Sequence, residues 1–80
     1  MMTLLDLEIG QIASVHEILR DYQNQNLITR LEALGIIPEK PIQILRKAIL
    51  GGPLHLRIGS TTEVAMRRSE AQHILVTLDG

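Results

Sequence analysis

Apolar and polar residues alternate along four short stretches of this chain, at residues 42–46, 54–58, 63–67 and 74–78. A period of two places successive side chains on opposite faces of a β-strand, so each stretch predicts a half-buried strand. An earlier stretch, residues 11–19, has apolar residues on both faces of the predicted strand. Ala13 and Val15 share one face, and Ile12 and Ile18 share the other. This pattern predicts a first strand with a bulge or a strong bend.

A different period appears between the first two strands. Leu27, Leu31 and Leu34 are spaced i, i+4 and i+7, which places all three on one face of a short α-helix. Gly35 suits the left-handed residue that ends a helix, and Pro38 prevents continuation. Such a short helix is not stable alone, so we expect its leucine face to be buried against the strands.

Shorter elements complete the chain. Residues 1–7 predict one helical turn, and Ser69 is expected to cap another over residues 70–72. Asn24 or Asn26 can cap the longer helix by accepting a hydrogen bond from a free N–H.

A tight connection joins the second and third strands. Gly51 and Gly52 can adopt positive φ, and Pro53 fixes φ and lacks a donor. This combination predicts a turn between antiparallel strands. Ile49 and Leu50 are neighbours at this turn and cannot easily both point inward, so we expect at least one to be exposed.

Together, these elements predict a mainly β protein with a single domain over residues 1–80. About five short antiparallel strands, with one short α-helix between strands 1 and 2, suggest a small curled sheet closed into a barrel, which would leave no exposed edges. Hydrophobic residues make up 45% of the chain, yet it has no Phe or Trp and one Tyr, so the core must be aliphatic.

The composition narrows the function. The net charge is −1, from 8 Lys and Arg against 9 Asp and Glu, which argues against nucleic-acid binding. Two basic pairs, Arg46 with Lys47 and Arg67 with Arg68, are interpreted as solvated strand ends. The absence of cysteine excludes disulfides and thiolate sites. No apolar run approaches the ~20 residues that span a bilayer, and no secretory signal is present. We therefore expect a cytoplasmic protein with no direct membrane insertion.

Several motifs occur together in the order and spacing of a known family. They are Leu4-Leu5-Asp6-Leu7 with Gly10, Ala13-x-Val15, Arg30-Leu31-x-x-Leu34-Gly35-Ile36, Pro38, Ile42-x-Ile44-Leu45, Gly51-Gly52-Pro53, and Arg67-x-x-Glu70-Ala71-x-x-Ile74-x-Val76. The chain resembles the FeoA family of bacterial ferrous iron uptake over nearly its whole length. One departure is that family members usually carry a glycine near Glu39 and Lys40, and this chain has none.

The resemblance implies an SH3-like barrel and a non-enzymatic role. It also implies a partner, the FeoB transporter, which FeoA-like proteins meet at its cytoplasmic side. The same barrel occurs fused to metal-dependent repressors, so a stand-alone module that partners a repressor is an alternative. A small transition-metal carrier is a second alternative.

Candidate chemistry is sparse. Glu70 and His73 are spaced as in Glu-x-x-His metal sites, and His55 could join them, but di-iron sites need two such motifs and further glutamates. We therefore predict no cofactor beyond weak binding of a divalent transition metal. Ser14 and His16 share a strand face without an acid to orient the imidazole, and no Lys-Ser/Thr follows the glycines as in a phosphate-binding loop, so we predict no enzymatic activity.

Partner binding is the remaining hypothesis. A small barrel with an aliphatic helix face and a rigid turn can present a shallow apolar surface. The predicted partner-binding residues are Leu31, Leu34, Ile37, Ile49, Leu50, Gly51, Gly52 and Pro53. Apolar strand edges also permit a homo-oligomer, although nothing in the sequence specifies its symmetry.

Overall fold

The computed structural model describes residues 2–21 and 23–78. Its six strands are β1 (Met2–Thr3), β2 (Ile12–Ile18), β3 (Pro41–Lys47), β4 (Leu54–Ile58), β5 (Thr62–Met66) and β6 (Ile74–Thr77). Its helices are α1 (Gln25–Ala33), α2 (Arg68–Ala71) and a 3-10 turn at Leu4–Asp6. The predicted opening turn included Met1, which lies outside the described residues.

All strand pairs are antiparallel, and the sheet order is β1-β6-β2-β3-β4-β5. The prediction of a mainly β, antiparallel protein is confirmed. The strand count was one too low, because β1 is only two residues long, and α1 consequently lies between the second and third strands. The predicted closure is also incorrect for the described residues, where the sheet is open and ends at β1 and β5.

The predicted irregularity in β2 is present. The register of β2 against β6 shifts between Val15 and Glu17. Because the bulge adds a residue, it changes which side chains face inward. Ile18 is buried at 6% exposure, whereas Ile12 is 60% exposed. The prediction that these two isoleucines share a face was therefore wrong.

One face of α1 packs on the sheet, as predicted. This face is centred on Ile28 and Leu31 rather than on the three leucines of the sequence pattern. Ile28 and Leu31 are fully buried, while Leu27 and Leu34 are half-buried against the same core. The leucine spacing alone concealed the contribution of Ile28. Gly35 follows the helix with φ +99°, the left-handed conformation predicted for it.

Both predicted helix caps behave differently from expectation. Asn24 occupies the N-cap position of α1 but makes no side-chain capping bond. Its side-chain oxygen instead accepts from the backbone N–H of Asp21 at 2.9 Å, and its amide donates to the carbonyl of Leu19 at 3.1 Å. Ser69 lies inside α2, and Arg67 holds the cap position.

The core is aliphatic, as the composition required. Its fully buried side chains come from every strand after β1, from both helices and from the segments beside them, and the largest are Leu4, Leu7, Ile28, Leu31, Ile36, Ile42, Ile44, Leu54, Leu56, Ile74, Val15 and Val76. No polar or charged side chain is buried among the described residues. No described helix is long and apolar enough to cross a membrane.

Glu39 lies in the turn before β3, where the family resemblance led us to expect a glycine. It adopts φ +72°, a conformation that favours glycine. Its backbone N–H donates to the carbonyl of Val15 at 2.7 Å, which fixes the turn against β2. This turn thus adopts a positive φ without a glycine.

Candidate partner-binding site

The connection between β3 and β4 is a tight turn over residues 49–52. The N–H of Gly52 donates to the carbonyl of Ile49 at 3.2 Å. The two central residues, Leu50 and Gly51, have φ of +57° and +74°, as in a type I′ turn. This turn type matches the twist of antiparallel strands and usually has Asn, Asp or Gly at both central positions. Leu50 is therefore an unusual residue for its place.

Close packing and an arginine hold this turn. A Cβ on Gly52 would lie 2.6 Å from the Cβ of Ala48, so only glycine fits without a shift. The N–H of Ala48 donates to the carbonyl of Pro53 at 3.0 Å. From α2, Arg68 Nε donates to the carbonyl of Gly52 at 2.9 Å and Nη2 to that of Ala48 at 3.2 Å. The turn is thus pre-organised and joined to α2.

The apolar residues of the turn point into solvent. Ile49 is 82% exposed and Leu50 98% exposed. The sequence predicted that at least one of them would be exposed, and both are. We call residues 49–52 the hairpin tip.

A groove of about 540 Å³ lies beside the tip, between α1 and β5. On one side it is lined by Val64, Ala65 and Met66. Successive strand residues face opposite sides of a sheet, so three in a row can line one groove only where it follows the edge of the strand. Leu31 and Leu34 line the other side. We call this feature the edge groove.

Charged residues stand around this apolar groove. Arg30 of α1 forms an ion pair with Glu70, and Glu70 also accepts a hydrogen bond from the backbone N–H of Arg67 at 3.1 Å. The carboxylate charge of Glu70 is therefore compensated within the protein. The side chain of Arg67, at the rim of the groove, is exposed.

The structure divides the predicted partner-binding residues into three places. Leu31, Leu34 and Pro53 line the edge groove. The hairpin tip contains Ile49, Leu50, Gly51 and Gly52. Ile37 is 44% exposed but precedes Pro41, at the end of β3 that is farthest along the strand from the tip.

Sequence reasoning missed the part of the site contributed by β5 and α2. Val64 and Met66 were assigned to a strand, and Arg67 and Arg68 to a solvated strand end. The basic pair was visible, but the contacts of Arg68 span 16 and 20 residues of sequence. No local pattern reports such distant partners.

The candidate metal ligands do not form a centre. Among the described residues, no group of three or more His, Asp or Glu side chains could hold a metal ion. His55 Nε2 lies 3.4 Å from Glu63, and Glu70 is engaged by Arg30. His73 follows α2, with its backbone N–H on the carbonyl of Glu70.

Glu63 has a pH-dependent contact on the outer face of the sheet. A hydrogen bond from Arg57, with help from the positive charge of Arg57 and from His55, holds the pKa of the Glu63 carboxyl below its ordinary value. A depressed carboxyl pKa adds stability above the unfolded pKa, and this stability is lost as the pH falls through the folded pKa. We expect Glu63→Gln to reduce the loss of stability below about pH 4.5. Urea unfolding across an acidic pH series measures this effect, and identical pH profiles for both proteins would contradict it.

A family comparison decides the identity of the domain. The model of the FeoA domain matches residues 2–78. The chain belongs to the FeoA family. This family is associated with ferrous iron transport and consists in general of non-catalytic accessory proteins.

Solved structures of FeoA proteins have the same fold. FeoA of Stenotrophomonas maltophilia, solved in complex with zinc and described as an SH3 domain protein, superposes with a TM-score of 0.83 at 29% identity. That alignment covers 96% of this chain and 91% of the other. FeoA of Chlorobium tepidum gives a TM-score of 0.81 at 31% identity, covering 94% of this chain and 68% of the other. The predicted SH3-like fold is thereby supported.

The fold also occurs in larger proteins. A manganese-dependent transcriptional repressor superposes with a TM-score of 0.82 at 20% identity, over 95% of this chain and 35% of the repressor. At that identity the likeness concerns the fold alone. A search of curated protein sequences finds no match.

Proposed function

We propose that this FeoA-family protein is a non-enzymatic, cytoplasmic accessory of ferrous iron uptake that binds a FeoB-type transporter through the edge groove. The observation that carries the proposal is an open apolar groove along a free strand edge. β5 is the last strand of the sheet, and Val64, Ala65 and Met66 present that edge to the groove. Apolar grooves beside free strand edges are common sites for a segment of another protein.

Residues that are buried in the core form part of the groove walls. Leu31 is 1% exposed and Met66 2% exposed, so both anchor the groove walls in the core. The Arg68 contacts hold the hairpin beside Pro53, which completes the lining. Rigid walls limit the conformational entropy that binding would remove.

The action on the transporter would be a shift in population. A partner changes an equilibrium only by its difference in affinity for the two states. Binding to one state of the transporter's cytoplasmic part would favour that state without any chemical step by this protein. The Stenotrophomonas maltophilia protein was described with a suggested role as a ferrous iron transport activating factor. The zinc bound in that structure gives no metal role to this chain.

Amide NMR tests the proposal. Titration of the labelled protein with the soluble nucleotide-binding domain of a FeoB-type transporter should shift the amides of Leu31, Leu34 and residues 64–67. Ala65→Glu adds a charge and bulk to the groove at an exposed position, and we expect at least about tenfold weaker binding. Thr62→Glu is the matched control, because Thr62 is exposed on the same strand but does not line the groove.

Each result has a clear meaning. Binding that is weakened by Ala65→Glu and retained by Thr62→Glu supports the groove. Equal affinity of both variants and the wild type would place the contact elsewhere. If no amide responds, with or without nucleotide, direct action on that domain is contradicted, and titration with a metal-dependent repressor then tests the alternative partner.

A further inference from the structure

The hairpin tip combines two properties that do not serve folding. Leu50 adopts φ +57°, which is strained for a residue with a branched side chain, and it is 98% exposed. Ile49 beside it is 82% exposed. Neither side chain contributes to the core. Strained residues retained on a surface often mark functional positions.

Positive charge is concentrated in the same hairpin. Residues 40–62 contain four Lys and Arg residues and no Asp or Glu, whereas residues 1–39 contain two Lys and Arg and six Asp and Glu. The near-neutral total therefore conceals a basic hairpin, in which Arg57 is paired with Glu63 of β5 and Lys40, Arg46 and Lys47 form no ion pair among the described residues. An anionic surface would be attracted to this hairpin and repelled by other parts of the protein.

A basic pocket lies at the base of the tip. It has a volume of about 290 Å³, and its polar lining consists of Arg46, Lys47 and His55. Arg46 Nη2 lies 3.5 Å from His55 Nδ1, and His55 Nε2 lies 3.4 Å from Glu63 on β5. Arg46 and Lys47 are therefore the lining cations that form no ion pair among the described residues. Among the described residues that line this pocket, none is acidic. Its chemistry suits a phosphate group.

We propose that the hairpin tip docks on an anionic phospholipid bilayer, with Ile49 and Leu50 in the interfacial region and Arg46 and Lys47 at the lipid phosphates. Lys47 precedes Leu50 by three residues, at most about 10 Å of chain. Amphipathic elements bury their apolar side to a depth of about 5–10 Å at the headgroup boundary. The cations would therefore lie at headgroup level when the tip is submerged.

The dimensions and charges favour a bilayer over a protein pocket. The two aliphatic side chains are exposed at the end of the hairpin, and two cations, Arg46 and Lys47, precede them on β3. The arginine contacts from α2 hold the tip in shape, so little ordering is needed on docking. The sequence predicted no direct membrane insertion, because no apolar run is long enough to span a bilayer. Shallow docking by two residues needs no such run.

Vesicle flotation tests this proposal with lipid alone. The probes are vesicles of equal parts phosphatidylglycerol and phosphatidylcholine, and vesicles of phosphatidylcholine only. We expect the wild type to bind the anionic vesicles at low salt and to dissociate as salt increases. Leu50→Asn should weaken binding at least about tenfold, since it removes the apolar tip. Arg46→Gln and Lys47→Gln should each weaken it about fivefold.

Matched controls separate folding from docking. Asn tolerates positive φ, so Leu50→Asn should fold and melt at or above the wild-type temperature. Ile37→Asn removes another exposed isoleucine away from the tip and should leave vesicle binding unchanged. No binding to anionic vesicles, equal binding to both vesicle types, or binding insensitive to Leu50→Asn would each overturn the proposal.

A protein occupant is distinguished by the same variant. If Leu50→Asn weakens binding to the soluble transporter domain in the absence of lipid and leaves vesicle binding unchanged, the tip is a protein contact and the bilayer proposal is wrong. If that affinity is unchanged while vesicle binding is lost, the bilayer proposal is supported. Because the vesicles contain no transporter, the proposal can succeed or fail independently of the proposed function.

Discussion

Leu56→Ala should lower the free energy of unfolding by about 2–5 kcal/mol. Leu56 is 0% exposed on β4, where it pairs with Ile44 on one side and Val64 on the other. Truncation removes buried apolar contacts and leaves a cavity that a sheet held on both sides cannot easily fill. The free energy of unfolding of a domain of this size is roughly 4–12 kcal/mol, so a large share of the stability would be lost.

Urea unfolding measures the effect. The midpoint should fall while the slope stays near that of the wild type, because the surface exposed on unfolding changes little. Ile12→Ala is the control, since Ile12 is 60% exposed on β2 and should change stability by about 0.5 kcal/mol or less. Equal losses for the two variants would contradict the core assigned to this face of the sheet.

Gly52→Ala should destabilise the hairpin tip by about 1–3 kcal/mol. The added Cβ would stand 2.6 Å from the Cβ of Ala48, a distance that real side chains do not adopt. The backbone must shift, and the hydrogen bonds that Arg68 donates to the carbonyls of Gly52 and Ala48 would lengthen. Thermal and urea unfolding report the loss.

A double-mutant cycle isolates the cause. Ala48→Gly removes the other Cβ, so it should rescue part of the Gly52→Ala loss, and the double mutant should lose less stability than the sum of the two single mutants. Gly51→Ala is the matched control: its added Cβ meets nothing within 4 Å, and its cost comes from φ +74° instead. Ala48→Gly should not rescue it. Additive losses in the Gly52 cycle would show that the close approach is not the cause.

The strands were predictable because alternation is a local property of the sequence. The patterns around β3, β4, β5 and β6 matched the structure to within a residue or two. Errors arose where tertiary contacts overrode the local pattern. The bulge in β2 moved Ile18 into the core, and the two-residue β1 is defined by its pairing with β6 rather than by its own sequence.

In the candidate site, too, the local features were predictable and the tertiary contacts were not. The turn was predictable from Gly51, Gly52 and Pro53, because glycine and proline determine the backbone conformation at their own positions. The edge groove could not be predicted, since its lining comes from α1, β5 and α2, which are far apart in the sequence. The role of Arg68 was likewise hidden, because its acceptors are backbone carbonyls, which every residue carries and no sequence pattern marks.

The strand order affects how the nascent chain can fold. β6 lies between β1 and β2, so the last of the six described strands along the chain completes the interior of the sheet rather than its margin. Until residues 74–77 leave the ribosome, β2 lacks one neighbour and β1 lacks the strand that pairs with it in the described part of the chain. A nascent chain can form the β3-β4-β5 hairpins early, but it cannot bury Val15 against Val76. We therefore expect cooperative folding only once residues 74–77 are available to pair, and we expect premature termination even a few residues before β6 to leave an aggregation-prone product.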